Sequence, residues 1–228
     1  MELAERLAAL DARIAEAARA VGRDPSELTR VVVTKFHPPE LIAALRTLGV
    51  RDVGESRQQE LSQKRAVLPE MTDLTWHFVG QVQTKKARAV RAAADVVHSV
   101  DRTRLADALH AADPEAESPL GVFVQVNLTD DSARGGVAPA AAAELAEHIA
   151  GNCPSLVLLG VMAVAPLEES PARAFERLAE VSARVRAVVP AASAISAGMS
   201  GDFTEAIAAG ATHLRIGSAI TGPRPVRG

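Results

Sequence analysis

Val31-Val32-Val33-Thr34-Lys35 is a short β-branched run that ends on an amine. Such a run reads as a buried strand. Runs of the same kind recur at 52–55, 75–79, 96–100, 120–128, 156–164, 192–197 and 212–217. Ala-, Leu-, Glu- and Arg-rich segments of helical character separate them. Strands alternating with helices imply parallel pairing through helical crossovers. Eight such units close into a (β/α)8 barrel of the TIM type, with an open doubly wound sheet as the alternative. Ahead of the first run, Leu3, Leu7, Leu10, Ile14 and Ala17 or Ala18 recur at helical spacing over residues 2–21. The expected fold is therefore α/β: one barrel domain over residues 1–228 with an extra N-terminal helix.

Helix-start signals agree with this rhythm. Pro38-Pro39 precedes Glu40, Asp101 precedes Arg102-Thr103, and Ser170-Pro171 opens the segment near Phe175. Asp202 and Glu205 have the spacing of a capping box. The chain has 228 residues and a formal charge of −3, so no nucleic-acid affinity is expected from charge. Its N-terminus is charged and no apolar stretch approaches spanning length; a soluble, cytoplasmic protein without membrane contact is expected. The one cysteine, Cys153, excludes an intrachain disulfide and thiolate zinc sites, and it reads as a small filler in a turn. The six histidines show no metal-ligand spacing, and no metal site is expected. Thr84-Lys85-Lys86-Ala87-Arg88 with Arg91 reads as a solvated helix face.

Chemistry concentrates where the strands end. In a barrel of this kind the working face is the C-terminal rim of the strands. Lys35 ends the first run. Gly54-Glu55-Ser56 ends the second. His77 lies in the third, before Gly80-Gln81. Ser196-Ala197-Gly198-Met199-Ser200-Gly201-Asp202 ends the seventh, and His213, Arg215, Gly217 and Ser218 mark the eighth. Lys64, Lys85 and Lys86 sit in polar helical stretches and need no special account, whereas Lys35 does. An amine at the end of a buried strand either snorkels to water or attacks an aldehyde to form an imine. Gly198–Asp202 has the character of a phosphate cradle, since glycine admits close backbone approach and Ser200 adds a hydroxyl; an ordinary Gly/Ser turn is the plainer alternative. Alternation places His213, Arg215 and Gly217 on one strand face. Arg215 there requires an acceptor, from either a core carboxylate or a ligand. His77, between Trp76 and Phe78, suits a packed, hydrogen-bonded core histidine better than a catalyst.

An imine-forming lysine, a phosphate cradle and a buried arginine together suggest pyridoxal 5′-phosphate (PLP). The quoted segments carry a resemblance as well: Val33-Thr34-Lys35, Gly54-Glu55, Trp76-His77-Phe78-Val79-Gly80, Gly160-Val161-Met162, Ser196-Ala197-Gly198-Met199-Ser200 with Asp202, and Arg215-Ile216-Gly217. In this order they resemble the pyridoxal phosphate homeostasis protein family, also called the proline synthetase co-transcribed family. That resemblance implies a single barrel like the N-terminal domain of alanine racemase. It implies PLP held as a Schiff base on Lys35, with Ser56, His77, Ser196, Gly198, Met199, Ser200, Arg215, Gly217 and Ser218 as cofactor-binding residues. Ser56 stands where many members have Asn, Gln81 replaces a proline, Lys86 replaces an asparagine, and the 131–136 loop only loosely follows the family pattern.

The resemblance further implies a role in keeping free PLP in balance, with no firmly attached turnover. The chain has no tyrosine, the residue that related two-domain racemases take from a second domain, which is not expected here. An arginine at the pyridine nitrogen would also weaken the ring as an electron sink. A cytoplasmic, monomeric PLP carrier that passes cofactor to apo PLP-dependent enzymes is favoured. A weak racemase or related PLP enzyme is the alternative, and a cofactor-free Schiff-base aldolase acting on a phosphosugar is a third.

Overall fold

The computed structural model describes residues 2–223; Met1 and residues 224–228 of the expected domain lie outside them. Eight parallel strands form a closed barrel in chain order: Thr29–Val33 (β1), Asp52–Glu55 (β2), Thr75–Phe78 (β3), Val96–Val100 (β4), Leu120–Gln125 (β5), Leu156–Met162 (β6), Ala194–Ser196 (β7) and His213–Ile216 (β8). Pairing of β1 with β8 closes the ring. The barrel is the expected (β/α)8 topology, and the open sheet is excluded.

The helices are Leu3–Ala20 (α1), Pro39–Thr47 (α2), Gln58–Val67 (α3), Ala87–Arg91 (α4), Thr103–Ala111 (α5), Ala142–Asn152 (α6), Pro171–Val188 (α7), Phe203–Ala208 (α8) and Ser218–Thr221 (α9). Their starts follow the local chemistry. Pro39 and Pro171 each occupy a first turn, where a missing N–H costs nothing. The extra helix α1 buries Leu7, Leu10, Ile14 and Ala18 and packs against α8 and α9. Most of the apolar core lies between the barrel and its helices. No described helix is long and apolar enough to cross a membrane.

Several local expectations are corrected. β1 spans 29–33 rather than 31–35, because Thr29 and Arg30 already pair with His213 and Leu214. Lys35 therefore sits in the turn above the strand, not on it. The runs at 120–128, 156–164, 192–197 and 212–217 contract to 120–125, 156–162, 194–196 and 213–216, their ends serving as rim loops. Asp202 precedes α8, but its carboxylate does not cap that helix. It turns back to accept from the Met199 N–H at 2.6 Å. Arg91 is buried rather than solvated and donates to the carbonyls of Ser155 and Ser118. Lys64 is buried too, since the inward face of α3 that carries Leu61 carries it as well.

Inside the barrel the alternation of the strands aims polar rings at the axis. The His98 ring stacks on Phe123 at 4.6 Å between centroids, and Phe123 meets His213 edge-on at 5.1 Å. A small apolar group of Val96, Phe123 and Met162, with Leu159 and Ala194 packed against it, lies beside these rings.

Candidate cofactor-binding site

β1 ends against a strained turn. Phe36 adopts φ +69°, a left-handed conformation that a bulky side chain rarely takes. Such strain costs of order 1–3 kcal/mol and persists only where the surroundings impose it. Here the Phe36 N–H donates to Glu60 Oε2 at 3.0 Å, and the Arg57 guanidinium lies 4.9 Å from the ring centre. This turn directs Lys35, which is half-buried, into a cavity of about 500 Å³. Ser56, Met199, Ser200, Arg215, Gly217 and Ser218 line the same cavity. Seven of the ten expected cofactor residues thus meet in one place.

Ser56 is brought there by a tight crossing. A Cβ on Gly80 would stand 2.0 Å from the Ser56 carbonyl oxygen, so only glycine lets the end of β3 pass this close.

The remaining three expected residues lie beneath the cavity. Ser196 and His77 are buried in the barrel and do not line it. Gly198 adopts φ +88°, and a Cβ there would meet the Ala206 Cβ at 2.8 Å. It turns the chain under α8, and its carbonyl accepts from the Arg215 N–H at 2.9 Å. Cavity residues not expected to bind the cofactor include Val33, Phe36, His37, Val79, Val164, Thr221 and Gly222. Val33 and Val79 belong to the quoted segments, and the others carry no motif. His37 alone had a signal, an imidazole two positions after Lys35.

The cavity has cationic and neutral walls. Among the described residues no carboxylate lines it. Arg215 is buried, and burial lowers its pKa to about 10, which leaves it charged at neutral pH. Its Nη1 donates to Ser196 Oγ at 2.7 Å and its Nη2 to the Ala163 carbonyl at 2.9 Å. Burial, helped by the Lys64 charge, moves the His37 pKa down. The N–H groups of Ser200 and Gly201 meet no acceptor among the described residues. Ser200 Oγ accepts from the Ala219 N–H at 3.4 Å, which links the β7 loop to the start of α9. Free amides beside serine hydroxyls suit a phosphate. An amine and a guanidinium share the same chamber, whose size is typical of small-ligand sites.

The similarity of this chain to known proteins points the same way. Residues 6–225 match the family model described as alanine racemase, N-terminal domain. A pyridoxal phosphate homeostasis protein of Mycobacterium tuberculosis is 40% identical, with 99% of this chain and 94% of the relative covered. The protein of that name from Escherichia coli is 37% identical, with 98% and 97% covered. Among solved structures, PipY of Synechococcus elongatus with PLP bound superposes with a TM-score of 0.84 at 31% identity, covering 97% of this chain and 100% of PipY. Alanine racemase of Corynebacterium glutamicum, at 16% identity and a TM-score of 0.68, covers 97% of this chain and 62% of its own and shares the fold. The chain belongs to the pyridoxal phosphate homeostasis protein family.

Proposed function

We propose that the protein binds PLP in the cavity at the C-terminal rim of the barrel and serves as an intracellular store and donor of that cofactor. One observation carries this: Lys35, Arg215, Ser200 and Gly201, the last two with unbonded amides, line a single chamber in which no carboxylate stands among the described residues. The PLP bound to PipY, a relative of matching fold and length, supports the same assignment. Lys35 is the covalent attachment point, because its amine is the nucleophile that an aldehyde would meet there. Ser200, Gly201 and Ser218 receive the phosphate, and Arg215 faces the ring. When bound, PLP supplies an electrophilic aldehyde and a conjugated ring.

The chain's own groups suit holding better than turnover. Arg215 remains a cation, so it donates hydrogen bonds and gives up no proton at neutral pH. The chain has no tyrosine to serve as a second acid or base. A cytoplasmic monomer that hands PLP to apo enzymes fits these features. His77 and Ser196 support the site from below.

Borohydride reduction of the PLP-loaded protein, followed by peptide mapping, tests the assignment. One reduced adduct on the Lys35 peptide is expected, and none in Lys35→Ala. An adduct on another lysine, or no uptake of PLP by the wild type, overturns it. Delivery is tested by mixing the loaded protein with an apo PLP enzyme. Activation faster than free release allows is expected, and rapid α-proton exchange of amino acids by the protein alone would favour an enzyme instead.

A further inference from the structure

A chain of hydrogen bonds runs through the barrel interior from one rim toward the other. Asp52 begins β2 at the rim opposite Lys35, and its side chain is 28% exposed. Its Oδ1 lies 3.0 Å from His77 Nε2. His77 Nδ1 lies 2.8 Å from His98 Nε2, and His98 Nδ1 lies 2.8 Å from Ser196 Oγ. Ser196 Oγ then accepts from Arg215 Nη1 at 2.7 Å. His77, His98, Ser196 and Arg215 are all buried. Five residues from five strands are joined without a gap.

The two ends set the polarity. A carboxylate can only accept, and a guanidinium can only donate. If His77 donates from Nε2 to Asp52, neutral His77 accepts at Nδ1 and His98 donates from Nε2. Neutral His98 then accepts the Ser196 O–H at Nδ1, which leaves the Ser196 lone pairs turned to Arg215. Burial first, and then the nearby Arg215 charge, disfavour the cationic form of His98. His213 stands beside both rings, 6.5 Å from His77 and 6.3 Å from His98 between centroids, and adds no link to the chain.

We propose that Asp52, His77, His98 and Ser196 form a one-way positioning relay that fixes the orientation of the Arg215 guanidinium toward the cofactor cavity. Its effect on PLP rests on the assignment of that cavity given above; the relay itself does not. Asp52, at the far rim, would thereby act on the ring environment of the cofactor without touching it. A ladder of neutral dipoles between a carboxylate and a guanidinium holds each donor in one direction and leaves Arg215 a single arrangement.

Nitrogen-15 spectra of histidine and arginine in the cofactor-free protein test the relay directly. His77 and His98 are expected as Nε2–H tautomers, with slow rotation of the Arg215 guanidinium. Ser196→Ala should speed that rotation, and Ser196→Thr should restore it. In the PLP-loaded protein, Asp52→Asn, which keeps an acceptor but removes the charge, should shift the cofactor absorption band and lower PLP retention about tenfold. An Nδ1–H tautomer at His98, or unchanged guanidinium rotation in Ser196→Ala, overturns the relay whether or not PLP binds. An unchanged band and unchanged retention in Asp52→Asn overturn its reach to the cofactor. Failure of the wild type to take up PLP strikes the cavity assignment and leaves the tautomer and rotation results to decide the relay.

Discussion

The Lys64 ammonium lies 2.6 Å from Glu55 Oε1, and both side chains are almost wholly buried. Lys64 also donates to the Thr34 carbonyl at 2.9 Å, and the Thr34 hydroxyl donates to the same Glu55 oxygen at 2.6 Å. This knot ties α3 and β2 to the peptide unit immediately before Lys35. Burial raises the Glu55 pKa, and Lys64 opposes it. Glu55 Oε2 has no hydrogen-bond partner among the described residues, so the knot depends on Lys64 and Thr34.

Lys64→Met should leave a buried carboxylate unpaired and destabilise the protein by about 3–5 kcal/mol. Adding Glu55→Leu should recover much of that loss, because an apolar pair needs no partner. Urea denaturation of the single and double variants measures both. PLP retention is expected to fall in the single variant, since the base of the Lys35 turn loses its brace.

Gly80→Ala should displace Ser56 from the cavity. The added carbon cannot stand 2.0 Å from a backbone oxygen, so one strand end must move. Overpacking of this kind costs about 1–3 kcal/mol. Thermal denaturation and PLP uptake should both show the loss. An alanine at Gly201, where a Cβ meets nothing within 4 Å, should be far milder in thermal denaturation.

Removal of the Arg215 side chain tests its place at the ring. Arg215→Ala should weaken PLP retention and shift the absorption band of the bound cofactor. It also leaves Ser196 and the Ala163 carbonyl without their donor, for about 1–3 kcal/mol of stability. Ser200→Ala should cost less retention, because the Ser200 and Gly201 amides remain. Equal retention in the two variants would remove Arg215 from the binding residues.

Stability should fall on the acid side. Burial, with the Arg215 charge nearby, lowers the His213 pKa from its ordinary 6.5 to about 4. The unfolded chain then binds a proton that the folded one refuses. The stabilisation is full above pH 6.5 and is lost as pH falls toward 4. Since the ring is only partly buried, the loss is of order 2 kcal/mol. Urea titrations at neutral and acid pH should show a smaller decline in His213→Gln than in the wild type.

Much of the architecture follows from local pattern. The alternation of β-branched runs with helical segments sufficed for eight βα units. Lys35, Ser200 and Arg215 could be proposed because the C-terminal ends of parallel strands must share one rim. Strand ends were less legible: β1 is set by pairing with β8, a partner nearly the whole chain away.

By itself, then, the sequence determined the barrel, the rim that does the work and the residue types gathered there, because periodicity and strand direction are local properties. Only the folded chain decided that Lys64 pairs with Glu55, that Gly198 supports α8 rather than lining the cavity, and that His77 and Ser196 belong to a chain reaching Arg215. Those outcomes depend on which side chains from distant strands point at the same axis and on which buried polar atoms find partners. No spacing along a single strand encodes that.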